Sequence, residues 1–317
     1  MNQQAPPKVR FGASWSTQYR FTQAIGRGLN DLTPIEATVV IGRAGVDGLA
    51  SGELDVLFSK SLVNEHRYQG KGYHAKGAPE PWIRSIAWMP QEDRFLFAVA
   101  PWTGITSFEQ IAAQKPALNM AGGAAAPVLE AYGFSYADIA SWGGSVSGME
   151  HTAKDAKARY DAGTLDACFG DGSAYDFSAW PWMANRGYRF LDISEPVMQK
   201  LEAQGLRRNI TPSGFLPGIS ETLLALDDSH IVFTCHERLD DELAYLLAKV
   251  IDERKRDIEC ASIQVDCATD ARLPLIQPSY WSSLTGPIDR QWDERYLGAP
   301  LHPAAEHYYR EQGYLDS

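Results

Sequence analysis

Short apolar runs alternate along the first third of the chain with stretches whose apolar residues recur at helical spacing. The elements that this pattern predicts are, in order, a strand at 9–13, a helix with Phe21, Ile25 and Leu29 on one face, a strand at 35–40, a short helix at 46–51 and a strand at 55–58. Strands and helices that alternate in this way are typical of a largely parallel sheet covered by helices. The amino-terminal part is therefore predicted to be α/β.

A second series of the same kind follows two further strand-like runs. Residues 82–89 and 94–100 are predicted as strands that cross between lobes, and the second is largely apolar, as a strand covered on both faces should be. The later predicted elements are a helix at 107–114, a strand at 117–120, helices near 126–132 and 154–162, strands at 167–169, 223–226 and 231–234, and a helix at 240–257. The strands at 223–226 and 231–234 and the helix at 240–257 are expected to return to the first lobe. The chain is therefore expected to cross between the lobes twice.

The length of 317 residues exceeds the size at which one hydrophobic core usually stops growing, so two lobes are expected. The predicted first lobe comprises residues 1–101 and 219–317, and the predicted second lobe comprises residues 102–218.

Residues 63–81 interrupt the alternation of strands and helices, because they are polar and show no clear period. This segment is predicted to be a long loop, either functional or disordered.

Composition and charge exclude several classes of partner. The net charge is −11 and the Lys and Arg residues are scattered, which argues against binding to nucleic acid or to an anionic membrane surface. No apolar run approaches the roughly 20 residues that cross a bilayer, so membrane insertion is not expected. Residues 1–10 lack the features of a secretory signal. The protein is therefore expected to be cytoplasmic if Met1 is its native start, and periplasmic if the sequence is a mature form.

The four cysteines show neither C-x-x-C pairs nor the density of a disulfide scaffold. Cys260 and Cys267 could form a disulfide in an oxidising compartment, but two inert thiols are the favoured interpretation. The sequence contains no phosphate-binding loop, nucleophile elbow or Ser-His-Asp order. Neither a cofactor nor a metal is expected.

The end of the chain resembles a known family. Residues 300–311, PLHPAAEHYYRE, are similar to the closing pattern PLHPGAERYYRE of the TAXI-type solute receptors of tripartite ATP-independent (TRAP) transporters. Residues 51–55 (SGELD), 103–110 (TGITSFEQ) and 161–169 (DAGTLDACF) resemble further patterns of that family, whereas 120–125 (MAGGAA) departs from its GAPGSGTE loop. The resemblance implies a type II periplasmic-binding-protein fold, with two α/β lobes, a hinge and a central cleft. It also implies a small organic-acid or amino-acid ligand and TRAP membrane permease subunits as partners.

Candidate ligand-binding residues follow the predicted strands, because ligands of open α/β sheets sit beyond the carboxyl ends of the strands. They are Ser14, Trp15, Ser16, Thr17, Gln18, Tyr19, Arg20, Arg84, Gly122, Gly123, Gly170, Asp171 and Ser173, together with Ser59 and Lys60, which the resemblance adds. A carboxylate buried between lobes favours a bidentate Arg, for which Arg20, Arg84 and Arg94 are the candidates. Helix capping by Ser14 or Ser16 and tight turns at the glycines are the structural alternatives.

Enzymatic activity on the same fold is the alternative function, because one fold hosts many activities. The enzyme would be a lyase or decarboxylase that uses Asp171 as acid or base, or a metal held by Glu65, His66 and His74. A soluble sensor is a third possibility. The pattern favours a solute-binding protein that closes over a carboxylate-bearing solute.

Overall fold

The computed structural model describes residues 8–13, 16–41, 45–122, 125–147, 153–172, 179–262, 284 and 286–316. The chain divides into two compact units. Unit 1 consists of Met1–Glu92 and Ser229–Ser317, and unit 2 consists of Asp93–Asp228. The chain therefore passes between the units twice, at 92–93 and at 228–229, where the lobe boundaries drawn from the sequence were 101–102 and 218–219.

Unit 1 is built on a five-stranded sheet. Its strands are β1 (Lys8–Ala13), β2 (Glu36–Ile41), β3 (Val56–Lys60), β4 (Ile83–Met89) and β12 (Ile231–His236), in the order β2-β1-β3-β12-β4. β1, β2 and β3 are parallel, and β12 runs antiparallel to both β3 and β4. β12 thus brings the returning chain into the middle of the first sheet.

Helices cover this sheet. They are α1 (Ser16–Leu32), α2 (Val46–Ala50), α3 (Ser61–Gln69), α10 (Asp241–Glu253), α11 (Lys255–Ser262), α12 (Glu294–Leu297) and α13 (Pro303–Glu311). Phe21, Ile25 and Leu29 are fully buried in one cluster with Phe11 and Phe233 of the strands. The predicted apolar face of α1 is therefore confirmed, since burial of that face against the sheet is what stabilises the helix.

Unit 2 has a sheet of its own. Its strands are β5 (Arg94–Val99), β6 (Asn119–Ala121), β7 (Ser145–Ser147), β8 (Ala167–Gly172), β9 (Arg189–Phe190), β10 (Arg207–Thr211) and β11 (Leu223–Asp227), in the order β10-β11-β5-β8-β6-β7 with β9 beside β5. Its helices are α4 (Phe108–Gln114), α5 (Ala126–Ala131), α6 (Tyr136–Ser141), α7 (Ala153–Asp161), α8 (Ala179–Ala184) and α9 (Glu195–Ala203). Across the described ranges of both units, none of the helices has the length and apolar character needed to cross a bilayer.

The two sheets repeat one topology. In each sheet, three parallel strands lie beside one strand that runs antiparallel to them. That strand comes directly after one of the two chain crossings, and it is β12 in unit 1 and β5 in unit 2. A strand antiparallel to that one comes next, β4 or β11. This is the arrangement of the type II periplasmic-binding-protein fold, and the predicted α/β fold class is confirmed.

The prediction of a long loop over 63–81 is wrong for its first part, because α3 extends to Gln69. The sequence hides this helix because its buried residues are mostly polar. Asn64, His66 and Arg67 are buried there, and the Asn64 amide donates to Thr234 Oγ1 at 2.7 Å. Without an apolar stripe, the helical period is invisible in the hydrophobic pattern.

The tail motif at 300–311 has a structural role. His302 caps α13 by accepting from the Ala304 N–H, and Pro303 fills the first helical position, where a missing N–H costs nothing. Tyr308 donates to buried Asp252 at 2.8 Å, and Tyr309 donates to the carbonyl of Ile86 in β4 at 3.1 Å. The motif therefore fastens α13 to α10 and to the sheet.

Cys260 is disulfide-bonded, whereas Cys168 and Cys235 are buried thiols. The interpretation of Cys260 as an inert thiol is therefore wrong. Cys267, the other residue of the predicted pair, lies outside the described residues. Disulfides persist mainly in oxidising compartments.

Candidate functional site

The carboxyl edge of the unit 1 sheet, where its parallel strands end, is formed by Ala13, Lys60 and their neighbours. Ile231, the first residue of β12, pairs with Lys60 on one side and with Met89 on the other. Ends of three strands and the start of a fourth thus meet at this edge. Parallel α/β sheets bind ligands at such edges, because helix N-termini and loop N–H groups point there.

The predicted loop at 14–19 is shorter in the structure, because α1 begins at Ser16. Ser16, Thr17, Gln18 and Tyr19 form its first residues, and their side chains, like Ser14 and Trp15 entirely, lie outside the described residues. The first turn of a helix lacks internal partners for its N–H groups, so it is often polar and looks like a loop in sequence. The position of α1 still places these residues directly after β1.

Ser59 and Lys60, which were expected to follow a strand at 55–58, are the last two residues of β3, and both are buried. Lys60 Nζ donates to the side-chain oxygen of Gln91 at 2.8 Å, and Lys60 is also the N-cap residue of α3. A buried ammonium is costly unless polar groups or an anion compensate it. The carboxyl edge of unit 1 therefore carries a positive charge at the start of a helix.

The two arginines of the predicted site occupy different places. Arg20 lies in α1, half-buried, and this burial lowers the pKa of its guanidinium. Arg84 pairs with Cys235, which pairs with Val56 at the start of β3, so Arg84 lies at the opposite, amino edge of the sheet. There it donates to the carbonyl of Ile83 and to Glu237 Oε2 at 3.0 Å. The structure therefore does not bring Arg84 together with Lys60.

An aromatic group at the carboxyl edge of unit 1 escapes sequence analysis. His230 immediately precedes β12 and has a φ of 71°, a left-handed conformation that is strained for a residue other than glycine. Its ring lies 5.1 Å from that of Trp88 and 4.6 Å from that of Tyr296. Strained residues cluster at functional sites, and His230 lies beside the second crossing of the chain. No local signal joins three residues so far apart in sequence.

In unit 2, the predicted glycines lie within or directly after strands. Gly122 follows β6 with a φ of 127°, and a Cβ there would lie 2.0 Å from the carbonyl oxygen of Phe169. Close approach of β6 to β8 thus requires this glycine. Gly170 and Asp171 belong to β8, which runs three residues beyond its predicted end, while Gly123 and Ser173 lie outside the described residues.

Arg94 is the arginine that the structure places at the carboxyl edge of unit 2. It pairs with Gly172, the last residue of β8, and with Asp227 of β11. It is 3% exposed, and its guanidinium carbon lies 4.0 Å from the centroid of the Phe215 ring. Stacking on an aromatic face holds the planar guanidinium in one orientation. Each unit therefore has a buried cationic side chain where its third parallel strand ends.

A cavity of about 830 Å³ opens at the amino edge of unit 1, away from Lys60. Its charged lining residues pair with partners inside the protein. Arg10 forms a two-point ion pair with Asp55 at 2.7 and 2.9 Å, and Lys8 lies 3.1 Å from Glu36. Asp240 caps α10 by accepting from the Leu243 N–H. These charged side chains of the lining therefore have structural roles.

The metal site considered from the sequence does not form. The rings of His66 and His74 stack with centroids 5.4 Å apart, and His66 Nδ1 accepts a hydrogen bond from the His74 backbone N–H. One nitrogen of His66 is thereby occupied, and stacked rings do not converge on a common ion. In the part of the chain that the structure describes, no group of three or more His, Cys, Asp or Glu side chains is arranged to hold a metal.

Comparison with known proteins gives a family and several structural likenesses. The model of the NMT1-like family matches residues 25–270. The ATP-bound protein XAC2383 from Xanthomonas citri is 11% identical, with a TM-score of 0.43, and 98% of this chain and 99% of that chain are covered. The ectoine-binding protein TeaA of the TeaABC TRAP transporter is 11% identical, with a TM-score of 0.39 and coverage of 96% and 90%. The alkanesulfonate-binding protein SsuA from Xanthomonas axonopodis pv. citri, bound to MOPS, is 13% identical, with a TM-score of 0.37 and coverage of 100% and 96%.

Proposed function

The chain belongs to the NMT1-like family, and from this premise we propose that it is a solute-binding protein of the TAXI type for a small carboxylate-bearing solute. The proposal includes capture by closure of two lobes about a hinge, and delivery to a TRAP-type membrane permease. Two features of the sequence support the TAXI assignment: the tail motif at 300–311 and the ordered matches at 51–55, 103–110 and 161–169.

The observation that carries the proposal is the buried cation at the carboxyl edge of each sheet. Lys60 is 9% exposed and Arg94 is 3% exposed. Both cations lie at the edges where this topology binds ligands, and their positive charge there favours an anionic solute. An Arg fixed by stacking suits a carboxylate, because its N–H groups match the two carboxylate oxygens.

Two further observations support transport of a solute outside the cytoplasm. The disulfide of Cys260 favours an oxidising compartment such as the periplasm. The chain connects its two units through two segments, which hydrogen-bond to each other: His230 N donates to Gln91 O at 2.8 Å, and Asp228 N donates to Asp93 O at 3.1 Å. Short paired connections of this kind are suitable hinges, because few residues absorb the change in backbone angle.

A thermal-shift screen of organic acids tests the proposal, with succinate, glutamate and benzoate as the first members. A ligand present at 100 times its Kd should stabilise the folded protein by about 2.7 kcal/mol. Tyr19→Ala is expected to remove this shift while leaving the unliganded melting temperature nearly unchanged. Arg94→Gln is expected to remove it too, but with a lower unliganded melting temperature, because Arg94 is buried against Phe215. NMR of the best hit during incubation separates a receptor from a catalyst, since formation of product would show an enzyme. Identical small-angle scattering curves with and without that acid would contradict hinge closure.

A further inference from the structure

We propose that a patch of aromatic and cationic side chains at the amino edge of the unit 2 sheet is a docking surface for an acidic segment of a partner protein. This aromatic patch consists of Trp102, Tyr160, Trp182, Arg186 and Arg189. The proposal goes beyond the proposed function, because the patch lies at the edge of unit 2 opposite to the one that carries Arg94. Its position, its rigidity and its charge support it independently.

The patch is assembled from parts of unit 2 that meet at one edge. Val99, the last residue of β5, pairs with Ala167, the first residue of β8, and with Arg189 of β9. Trp102 follows Val99 after a short turn. The length of β8 separates this edge from Gly172 at the carboxyl edge, which is a distance of roughly 16 Å along the strand. A partner could therefore contact the patch without entering the carboxyl edge.

Trp102 is an exposed indole that the protein holds in place. It is 49% exposed, more than any other described Trp, Tyr or Phe. Its Nε1 donates to Asp166 Oδ1 at 2.8 Å, and Asp166 Oδ2 in turn accepts from the Asn119 backbone N–H at 2.9 Å. The Thr103 N–H donates to the carbonyl of Ala100 at 3.1 Å and closes the turn around the indole. A side chain fixed in this way loses little freedom when a partner binds, so it suits the role of an anchor.

The neighbouring side chains extend the indole into a row. The Trp102 and Tyr160 ring centroids are 5.0 Å apart, and the edge-on contact of Tyr160 with Trp182 follows at 5.3 Å. The guanidinium carbon of Arg186 lies 4.5 Å from the centroid of Trp182. Beneath the row, the buried Tyr188 contacts both Trp102 and Tyr160. Trp, Tyr and Arg are the residue types that dominate the energetic centres of protein interfaces.

Two cations give the patch a charge. Arg186 and Arg189 are exposed, and neither forms an ion pair with a carboxylate within the described ranges. By contrast, Arg208 of the same unit bonds to both Glu195 and Glu202. The patch is therefore locally positive on a chain whose net charge is −11.

This local charge selects a short acidic segment. At physiological ionic strength exposed charges act over about 8 Å, so a segment seated on the patch responds to Arg186 and Arg189 rather than to the net charge. A nucleic acid would extend beyond the patch and meet the acidic remainder of the surface. An apolar side chain of the segment would pack on Trp102, and its carboxylates would pair with the two arginines.

NMR titration of the ¹⁵N-labelled full chain with two synthetic peptides tests the proposal. The probes are the acidic peptide EEDLFEE and its basic counterpart KKRLFKK. The indole Nε1–H resonance of Trp102, identified by its loss in Trp102→Phe, and the backbone amide of Gly187 should move with the acidic peptide only. A Kd of roughly 0.1–1 mM is expected for so small a contact. Raising the salt concentration should weaken this binding, because the charges are exposed.

Variants separate the anchor from the charges. With the Gly187 amide as reporter, Trp102→Ala should raise Kd ~10-fold or more. Arg186→Gln and Arg189→Gln should each raise it ~2- to 5-fold. Lys200→Gln, which removes an exposed cation of α9 in the same unit, is the matched control and should leave Kd unchanged.

Three results would overturn the proposal. The first is that the acidic peptide moves neither resonance, or that the basic peptide moves both equally. The second is binding of a decathymidylate but not of the acidic peptide, which would identify a nucleic acid as the partner. The third is a dimer in sedimentation velocity that Trp102→Ala dissociates, which would assign the patch to a second copy of this chain. In each case the solute-binding function stands, because it is tested with organic acids.

Discussion

Gly122 lies where two strands of unit 2 come so close that only a hydrogen atom fits. An added Cβ would approach the carbonyl oxygen of Phe169 to 2.0 Å, and the φ of 127° is strained for any residue with a side chain. The glycine next to the predicted binding loop therefore has a packing reason, whether or not a ligand also approaches it.

Gly122→Ala is expected to destabilise the protein by about 3 kcal/mol, because backbone strain adds to a clash with fixed backbone. Gly163→Ala is the matched control, since Gly163 also has a positive φ, of 66°, but nothing lies within 4 Å of its added Cβ. That substitution should cost about 1 kcal/mol. Urea unfolding of both variants measures the difference, and equal losses would contradict the clash.

Asp252 is the acceptor that holds the tail motif in place. Burial raises the pKa of Asp252, but hydrogen bonds from Lys255 and Tyr308 outweigh this and keep the pKa below its ordinary value. Gln291 and Tyr314 also donate to this carboxylate. Residues from α10, α11 and α13 are therefore joined through one ionised side chain.

Tyr308→Phe removes one donor to this buried carboxylate and should lower the free energy of unfolding by about 1–2 kcal/mol. Tyr245→Phe provides the comparison, because the Tyr245 hydroxyl donates to the exposed Glu311 at 2.7 Å. An exposed interaction of this kind is expected to contribute about 0.5 kcal/mol. Chemical denaturation measures the free energy of unfolding of both variants. A larger loss for Tyr245→Phe than for Tyr308→Phe would refute the role given to Asp252.

At the scale of elements, α3 is held by the segment that follows it as well as by the apolar side chains of Leu62, Val63 and Tyr68. Arg67 of α3 bonds to Glu80 and, at 2.9 Å, to Asp47 of α2, and its side chain is 7% exposed. His66 of the same helix stacks on His74, whose pKa is lowered to about 4, mainly by burial and further by His66. Segment 70–80 therefore covers the polar face of the helix and should respond to pH.

Acidification is expected to loosen this segment. Because the pKa of His74 is about 4 in the folded protein and 6.5 as an ordinary value, the neutral form is favoured by folding. The stability contributed by His74 is complete above pH 6.5 and is lost as the pH falls from 6.5 to about 4. The opening equilibrium of 70–80, obtained from amide hydrogen exchange after division by the intrinsic exchange rate at each pH, should increase as the pH falls over that range.

His74→Gln should make this opening equilibrium less dependent on pH, since the variant has no group there to protonate. His307→Gln, which changes an exposed histidine of α13, is the control and should retain the wild-type pH dependence at 70–80. A wild-type segment that exchanges at a constant opening equilibrium from pH 6.5 to 4 would refute the prediction.

At the scale of the whole molecule, unit 2 is a continuous insertion in unit 1. The two ends of unit 1 that flank it are adjacent, since His230 N lies 2.8 Å from Gln91 O. Each unit has its own sheet and its own buried cluster. Compact parts with separate cores are expected to fold independently.

Replacing residues 93–228 with a Gly–Ser linker of roughly four residues should leave a soluble, cooperatively folding unit 1. The control removes residues 102–218, the lobe drawn from the sequence, and keeps β5 and β11. It should aggregate, because Leu96 and Phe97 of β5 are 1% and 2% exposed in the whole protein and would lose their cover. Differential scanning calorimetry and light scattering compare the two, and equal behaviour would contradict the division at 92–93 and 228–229.

The alternation of apolar runs predicts the α/β class because helix and strand periods are local properties of the chain. The same pattern locates the apolar face of α1, the strand that begins at Ile231 and, with its end two residues short, the strand that ends at Lys60. It fails at α3, whose buried residues are mostly polar, and at short elements such as β7 and β9, which contain three and two residues. Those elements are specified by their neighbours rather than by their own period.

By itself, the sequence determined the α/β class, the apolar face of α1 and the polar residues near the strand ends, because each depends on residues close together in the chain. Only the tertiary structure decided which of those residues share an edge. Arg84 belongs to the amino edge and Arg94 to the carboxyl edge of its own sheet, and His230 meets Trp88 across 142 positions. Strand direction and register fix these outcomes, and both are set by packing between segments that are remote in sequence.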